Sequence, residues 1–345
     1  MSSGNEIEPF FFDLDYESIN ISSFAQYEVN NTFLLFEPSF DNLIYIVFSN
    51  SQKDIICYDF TKNKIVNEIK KAHKDYITSF RYFLDTKNKR DLILSVSADE
   101  KNIKVWNINN LECLLELKGI YSKCQLYSAC FLKDKDDIFI ITSHHTSFSI
   151  VPVEAIKVYD LKGNKIKELS DIKENTYMLM SFYDTKLSKN FVIRGKQSCL
   201  SSYDYTEDKR YKEYFDEDAS MMHNIYIHFV INEKENVELI ASHYDSNIRI
   251  WNFHSGLLIK KIRINKCFNL GGICLVNEKY LYVACKKGTI KLFDMESGNI
   301  ISSLEAGNGE IINVEKINHS FYGLCLVSQN LLNSQIKVWK NRNYL

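Results

Sequence analysis

Ile103-Lys104-Val105-Trp106-Asn107 is a run of the form apolar, any, apolar, aromatic, amide or acid. The pattern returns as Ile55-Ile56-Cys57-Tyr58-Asp59, Ile156-Lys157-Val158-Tyr159-Asp160, Leu200-Ser201-Ser202-Tyr203-Asp204, Ile248-Arg249-Ile250-Trp251-Asn252, Ile290-Lys291-Leu292-Phe293-Asp294 and Ile336-Lys337-Val338-Trp339-Lys340, the last with Lys in the final place. The aromatics Tyr58, Trp106, Tyr159, Tyr203, Trp251, Phe293 and Trp339 follow one another at steps of 48, 53, 44, 48, 42 and 46 residues. Seven copies at one period mark a repeat architecture, in which each unit buries its faces on its neighbours.

The surroundings of the motif repeat as well. An apolar run precedes it, as in residues 92–94, 138–141 and 282–284, and a polar turn follows, as in Asn109-Asn110, Gly163-Asn164, Ser255-Gly256 and Ser297-Gly298. A further strand-like segment comes next, as in residues 113–117 and 257–262. Short strands parted by turns at regular spacing read as all-β. One four-stranded sheet cannot bury both its faces. Seven stacked radially and closed into a ring bury them against one another and protect the edges. The sequence therefore predicts an all-β, seven-bladed β-propeller of four-stranded antiparallel blades, with the repeated aromatic on each third strand, packed between blades. The chain stops soon after Trp339, on a third strand, so the seventh blade needs an outer strand from elsewhere. Residues 22–29 are predicted to supply it and close the ring. On this reading residues 1–21 are an N-terminal extension and residues 22–345 the propeller.

Composition agrees. Of 345 residues 45% are apolar, enough for a large core, and 22 Phe and 21 Tyr favour strands, where flat rings cover a pleated surface. A formal net charge of −2 offers no excess of positive charge to follow a phosphate backbone, so nucleic acid is not an expected partner. Nine Cys, an odd number without a C-x-x-C pair, read as buried free thiols of a reducing compartment, cytoplasmic and/or nuclear. Asn5, Glu6 and Glu8 stand where a signal peptide would be basic and then apolar, and the longest apolar runs, such as residues 43–48, are too short to span a bilayer, so no membrane is expected.

The second copy resembles a WD repeat. Ser95-Val96-Ser97-Ala98-Asp99 precedes the motif, and Ala72-His73 stands where that family has Gly-His. The resemblance implies a buried hydrogen-bond relay of His73, Ser95 (or Ser97), Asp99 and Trp106. It also implies an intracellular eukaryotic scaffold. A Ser/His/Asp set invites a catalytic reading, but the Trp and the repeat context account for all four residues structurally. The fifth copy keeps Asp245, Ser246, Asn247 and Trp251 but has Ala241 at the Ser position.

These observations point to a non-catalytic protein interaction scaffold or adaptor, a monomeric propeller within a larger complex, with proteins or peptides as partners and no cofactor or metal. No P-loop, G-x-G-x-x-G, H-E-x-x-H or G-x-S-x-G occurs. His144-His145 is the only His pair, and adjacent strand residues point to opposite faces, which argues against a shared metal. Other readings are a ubiquitin-ligase substrate receptor, a peptide or histone-tail reader, and an enzyme using channel residues such as His228. The Arg that many receptor propellers carry two residues beyond the Trp-Asp pair is present only as Arg342. Of the Phe-Arg-Arg-Gly element of phosphoinositide-binding propellers, only Arg194-Gly195 appears. Ser143 to Ile156 is about seven residues longer than the matching stretch of the fifth copy. Its His144, His145, Phe148, Ile150 and Val151 are therefore candidate partner contacts, with the acidic loop Asp216-Glu217-Asp218 expected on the same face to steer a basic peptide.

Overall fold

The structure, a computed structural model, describes residues 14–19, 33–37, 43–62, 64–97, 100–122, 124–145, 154–169, 175–196, 199–217, 224–231, 237–243, 247–264, 270–285, 287–319, 323–330 and 336–341. Every regular element among them is a β-strand, and the strands form seven four-stranded sheets. The chain divides into two compact units, residues 1–22 with 270–345, and residues 23–269. The first strand, β1 (Leu14–Ile19), belongs to the former.

Residues 23–269 carry five blades, each a meander of four consecutive antiparallel strands. Blade 1 is β2 (Phe33–Phe36), β3 (Tyr45–Ser49), β4 (Ile55–Asp59) and β5 (Lys64–Ile69). Blade 2 is β6 (Ser79–Asp85), β7 (Arg90–Ser97), β8 (Asn102–Asn107) and β9 (Glu112–Lys118). Blade 3 is β10 (Gln125–Asp134), β11 (Asp137–His145), β12 (Ile156–Asp160) and β13 (Lys165–Leu169). Blade 4 is β14 (Met178–Asp184), β15 (Lys189–Gly195), β16 (Leu200–Asp204) and β17 (Lys209–Tyr214). Blade 5 is β18 (Asn224–Ile231), β19 (Val237–His243), β20 (Asn247–Asn252) and β21 (Leu258–Arg263). The core lies in the seams between successive blades. Trp106 packs with Phe36, Val47 and Ile108 between blades 1 and 2. Tyr203 packs with Cys130, Ile141 and Val158 between blades 3 and 4, and Trp251 with Phe191, Ile193 and Tyr214 between blades 4 and 5. The repeated aromatic thus turns its ring onto the preceding blade, as its period predicts.

The other unit holds blade 6, β22 (Leu270–Leu275), β23 (Tyr280–Cys285), β24 (Thr289–Asp294) and β25 (Ile300–Glu305). It also holds β26 (Ile311–His319), β27 (Gly323–Asn330) and β28 (Ile336–Asn341), whose sheet is completed by β1. Trp339 packs with Cys274, Tyr282 and Leu292 of blade 6. Gly288 can only be glycine: its φ is +74°, and a Cβ there would lie 1.7 Å from the Gly307 carbonyl oxygen.

The seventh blade is completed from the N-terminus, as the sequence reading required, but by another segment. Leu14 to Ile19 pair with Asn341 to Ile336 in unbroken antiparallel register. The strand expected at residues 22–29 lies outside the described residues. The partner edge on β28 is filled by residues upstream, within the stretch read as an extension. In the six other blades the third and fourth strands slip register at the repeated aromatic, at Cys57/Tyr58, Val105/Trp106, Val158/Tyr159, Ser202/Tyr203, Ile250/Trp251 and Leu292/Phe293. Two residues of each outer strand therefore oppose one aromatic, and such a bulge increases the local twist.

Removing residues 1–19 would strip β28 of its outer neighbour and leave an unpaired edge. The truncated chain is expected to melt well below the full chain and to associate during size-exclusion chromatography. Equal melting temperatures would contradict the assignment.

Candidate functional site

The segment that carries the chain from the outer strand of one blade into the next brings backbone polar groups into a buried seam, where each needs a bonding partner. In blade 2 that segment contains Ala72-His73. The Trp106 indole N–H donates to Ser95 Oγ at 2.9 Å, and His73 Nε2 lies 2.8 Å from the same oxygen. A hydroxyl has one hydrogen to give. The Glu100 carboxylate can only accept, so the neutral imidazole carries its proton on Nδ1, 3.3 Å from Glu100 Oε2, and Ser95 donates to His73 Nε2. Burial pushes His73 down to about 4, so the ring is neutral, as this chain of donors requires. The relay predicted from His73, Ser95 and Trp106 is therefore assembled. Glu100 is a carboxylate that meets His73 and also accepts the Lys74 backbone N–H at 3.0 Å; Asp99 lies outside the described residues. The hydroxyl of Ser97 is buried with no hydrogen-bond partner among the described residues, which settles the choice of serine.

A second tie was visible in the repeat but not read from it. Five of the seven motifs carry a cation two residues before the aromatic: Lys104, Lys157, Arg249, Lys291 and Lys337. Lys104 Nζ donates to the Ala72 carbonyl at 2.7 Å, and Lys157 Nζ to the Ile120 carbonyl at the same distance. In blade 3, Tyr121 follows Ile120 as His73 follows Ala72. Its hydroxyl lies 2.8 Å from both the Oγ1 and the carbonyl oxygen of Thr142, which pairs with Lys157 as Ser95 pairs with Lys104. In blade 5 the serine place is Ala241. The corresponding loop residue is Asp216, bound by Arg249 Nε at 2.6 Å and Lys261 Nζ at 2.9 Å, while the Trp251 indole donates to the Phe215 carbonyl at 3.3 Å. In the seventh blade Trp339 donates to Ser328 Oγ at 2.8 Å. Four chemistries meet one requirement, a bond from the incoming segment or the aromatic to the middle of the sheet.

Asp216, expected on an open acidic loop, is thus buried and engaged by two cations. The exposed acid of that loop is Glu217, and Asp218 lies outside the described residues. Arg194 is also buried, its Nε donating to Ser201 Oγ at 2.7 Å, so Arg194-Gly195 presents no surface for a lipid head. Of nine Cys, seven are free thiols, six of them buried and Cys113 exposed, while Cys285 is disulfide-bonded, against the expectation of free thiols alone.

The two histidines of the third blade separate as the strand alternation predicts. His144 is fully buried between blades 2 and 3, its ring 4.7 Å from that of Tyr121. His145 faces the other seam, where its Nε2 lies 3.1 Å from the Tyr177 hydroxyl. The rings of Tyr127, His145 and Tyr177 form a half-buried cluster with centroids 4.8 to 5.7 Å apart. Both tyrosines escaped the sequence reading, because neither lies in the repeated motif. The connection leaving His145 spans residues 146–155, ten residues against three to five between the second and third strands elsewhere. Phe148, Ile150 and Val151 within it lie outside the described residues. The side chain of His228, on β18, is likewise not described.

Ser95→Ala should strand both the Trp106 indole and the His73 ring in a buried seam, at about 1–3 kcal/mol. Ser97→Ala, which removes a hydroxyl with no described partner, should cost much less by urea denaturation. Burial also pushes His144 down to about 4. Unfolded histidine titrates near ~6.5, so below that value the unfolded chain binds more protons than the folded one. The stability due to His73 and His144 is therefore full above ~6.5 and lost as the pH falls towards about 4. Melting temperatures between pH 7.5 and 4 should decline, and less steeply for His144→Phe.

A family model described as the anaphase-promoting complex subunit 4 WD40 domain matches residues 274–320, most of blade 6 and the strand that follows. Comparison with curated proteins gives no match. Among solved structures, Raptor of Chaetomium thermophilum superposes on 95% of this chain with a TM-score of 0.68 and 13% identity, and the chain spans 29% of that protein's length. BBS1N, solved in complex with ARL6DN, superposes on 96% of this chain and 98% of its own with a TM-score of 0.68 and 9% identity; a second crystal of the pair gives 0.69 and 8%. At such identities the likeness is one of fold. Seven four-stranded blades, the tied third-strand tryptophans and a matching WD40 segment lead to one conclusion: the chain has the seven-bladed β-propeller fold and resembles the WD-repeat family.

Proposed function

We propose that the chain is a non-catalytic scaffold or adaptor, a monomeric propeller that holds protein or peptide partners within a larger complex in the cytoplasm and/or nucleus. The observation that carries this reading is the half-open ring cluster of Tyr127, His145 and Tyr177 beside the longest connection between second and third strands. Tyrosine offers a partner a large, rigid, amphipathic contact at low entropic cost, which is why it recurs at binding hot spots. The BBS1N propeller, solved in complex with ARL6DN, shows this fold engaged with another protein. The one Ser/His/carboxylate set supports a structural role, since its serine is committed to an indole and an imidazole inside a seam. The seven free thiols suit a reducing compartment, whereas the disulfide at Cys285 does not.

Affinity purification of the full chain should recover stoichiometric partners. The double variant Tyr127→Ala/His145→Ala should lose at least one of them at nearly unchanged melting temperature. Unaltered recovery would remove the cluster from the binding surface.

A further inference from the structure

Two lysines where blade 1 passes into blade 2 hold backbone places that glycine fills elsewhere in the chain. Lys53 stands two residues before the third strand of its blade with φ +65°, as Gly288 does in blade 6 with φ +74°. Lys71 stands just before Ala72 with φ +48°, as Gly119 does before Ile120 with φ +58°. A side chain at such angles carries strain that glycine avoids. The segments that hold these lysines are joined. The Lys71 N–H donates to Asp54 Oδ1 at 2.7 Å, the His73 N–H to the Lys53 carbonyl at 3.5 Å, and Lys53 Nζ lies 4.9 Å from the centre of the Tyr76 ring. Lys74 follows His73 directly, its N–H on Glu100. Lys53 is half-buried, and Lys71 and Lys74 are exposed.

The acids of these segments are already engaged. Asp54 is buried and receives the Lys71 N–H and the Asn50 side-chain amide, Glu68 is paired with Lys70, and Glu100 accepts from Lys74, Asn102 and His73. Lys53, Lys71 and Lys74 have no ion-pair partner among the described residues. Asp75 stands beside them, with one oxygen given to the Tyr76 N–H at 2.8 Å. We infer that this rim docks an extended acidic segment of a partner protein. The inference rests on the scaffold reading only in that its occupant is a protein. Three ammonium groups spread over two joined segments match carboxylates spaced along a chain. A phosphate would favour a guanidinium fork, and residues 50–54, 70–76 and 100–102 contain no Arg. A nucleic-acid backbone needs a longer track of cations than three lysines on a chain of net charge −2 provide.

The test titrates the full chain with two labelled, end-capped peptides, one alternating serine with glutamate and one alternating serine with lysine, followed by fluorescence anisotropy. Saturable binding of the glutamate peptide, at least ~10-fold tighter than the lysine peptide, is expected. Lys53→Gly/Lys71→Gly removes two charges together with the strain, so it should weaken the glutamate peptide at least ~10-fold at nearly unchanged melting temperature. Lys89 and Lys135 also have positive φ but lie in turns at the opposite end of blades 2 and 3, so Lys89→Gly/Lys135→Gly should leave binding unchanged. If the first pair of substitutions lowers the melting temperature, Lys74→Gln, at an exposed position, decides in its place. Tyr127→Ala/His145→Ala should also leave peptide binding unchanged, and failure of the peptide to bind would leave the partner recovery that depends on the ring cluster untouched. Absence of saturable binding, equal affinity for both peptides, or equal losses from the two glycine pairs would overturn the proposal. So would a single-stranded oligothymidylate that binds more tightly than the glutamate peptide and loses affinity with Lys53→Gly/Lys71→Gly, which would assign the rim to nucleic acid.

Discussion

The bond from the Trp106 indole to Ser95, with His73 on the far side of the same hydroxyl, shows the constraint on which the molecule rests. A blade gains stability only by burying both faces, and burying them drags the connecting segment into the seam. A buried amide or carbonyl without a partner costs about as much as a large apolar side chain gains, so each seam has to supply donors and acceptors of its own. Lys104 and Lys157 bring the charged ends of otherwise apolar stems to the Ala72 and Ile120 carbonyls. Blade 5 uses a buried ion pair, Asp216 with Arg249, and Lys261 reaches the same carboxylate oxygen. Because the requirement is for a bond and not for one residue, the repeats can drift far from a common sequence while keeping a common structure.

The register slip at the repeated aromatic is the other recurring device. A flat four-stranded sheet would leave wide gaps against a neighbour set at an angle to it. Extra twist at the outermost pair brings the outer strand over the adjoining blade's turn, as where Lys167 reaches the Tyr205 carbonyl and Asp208. The β1–β28 pair has no such slip. Its outer strand comes from the opposite end of the chain, free of the short turn that ties third to fourth strand elsewhere. In blade 5 the same bulge has a surface consequence, since two adjacent side chains face one tryptophan and a third aliphatic precedes them.

On the functional side, the polar groups divide by what holds them. His73, Ser95, Glu100, Asp216 and Arg249 are occupied inside seams, and their chemistry is spent on the fold. The Tyr127, His145 and Tyr177 rings and the β21 edge remain partly open to solvent.

Much of this was legible in the sequence. The seven aromatics set the blade count, because a period of about 47 residues fits four short strands and their turns and little else. The His73, Ser95 and Trp106 part of the relay followed from the resemblance of the second copy to a WD repeat. An N-terminal strand was likewise expected, and Leu14–Ile19 supplies it. The sequence could not determine which segment fills that place: many short apolar-polar stretches suit a strand edge, and only pairing against Ile336–Asn341 selects Leu14–Ile19 over residues 22–29. Nor could it show that Glu100 meets His73, because a turn's backbone angles decide which side chains swing inward. Asp216 reads as a solvated acid beside Glu217 and Asp218 until Arg249, thirty-three residues later, is brought to 2.6 Å from it. Local pattern fixes strands and their faces, because side-chain alternation is a property of the backbone. Partners across a seam are fixed only when blades stack, because only then does burial make an unbonded polar group costly.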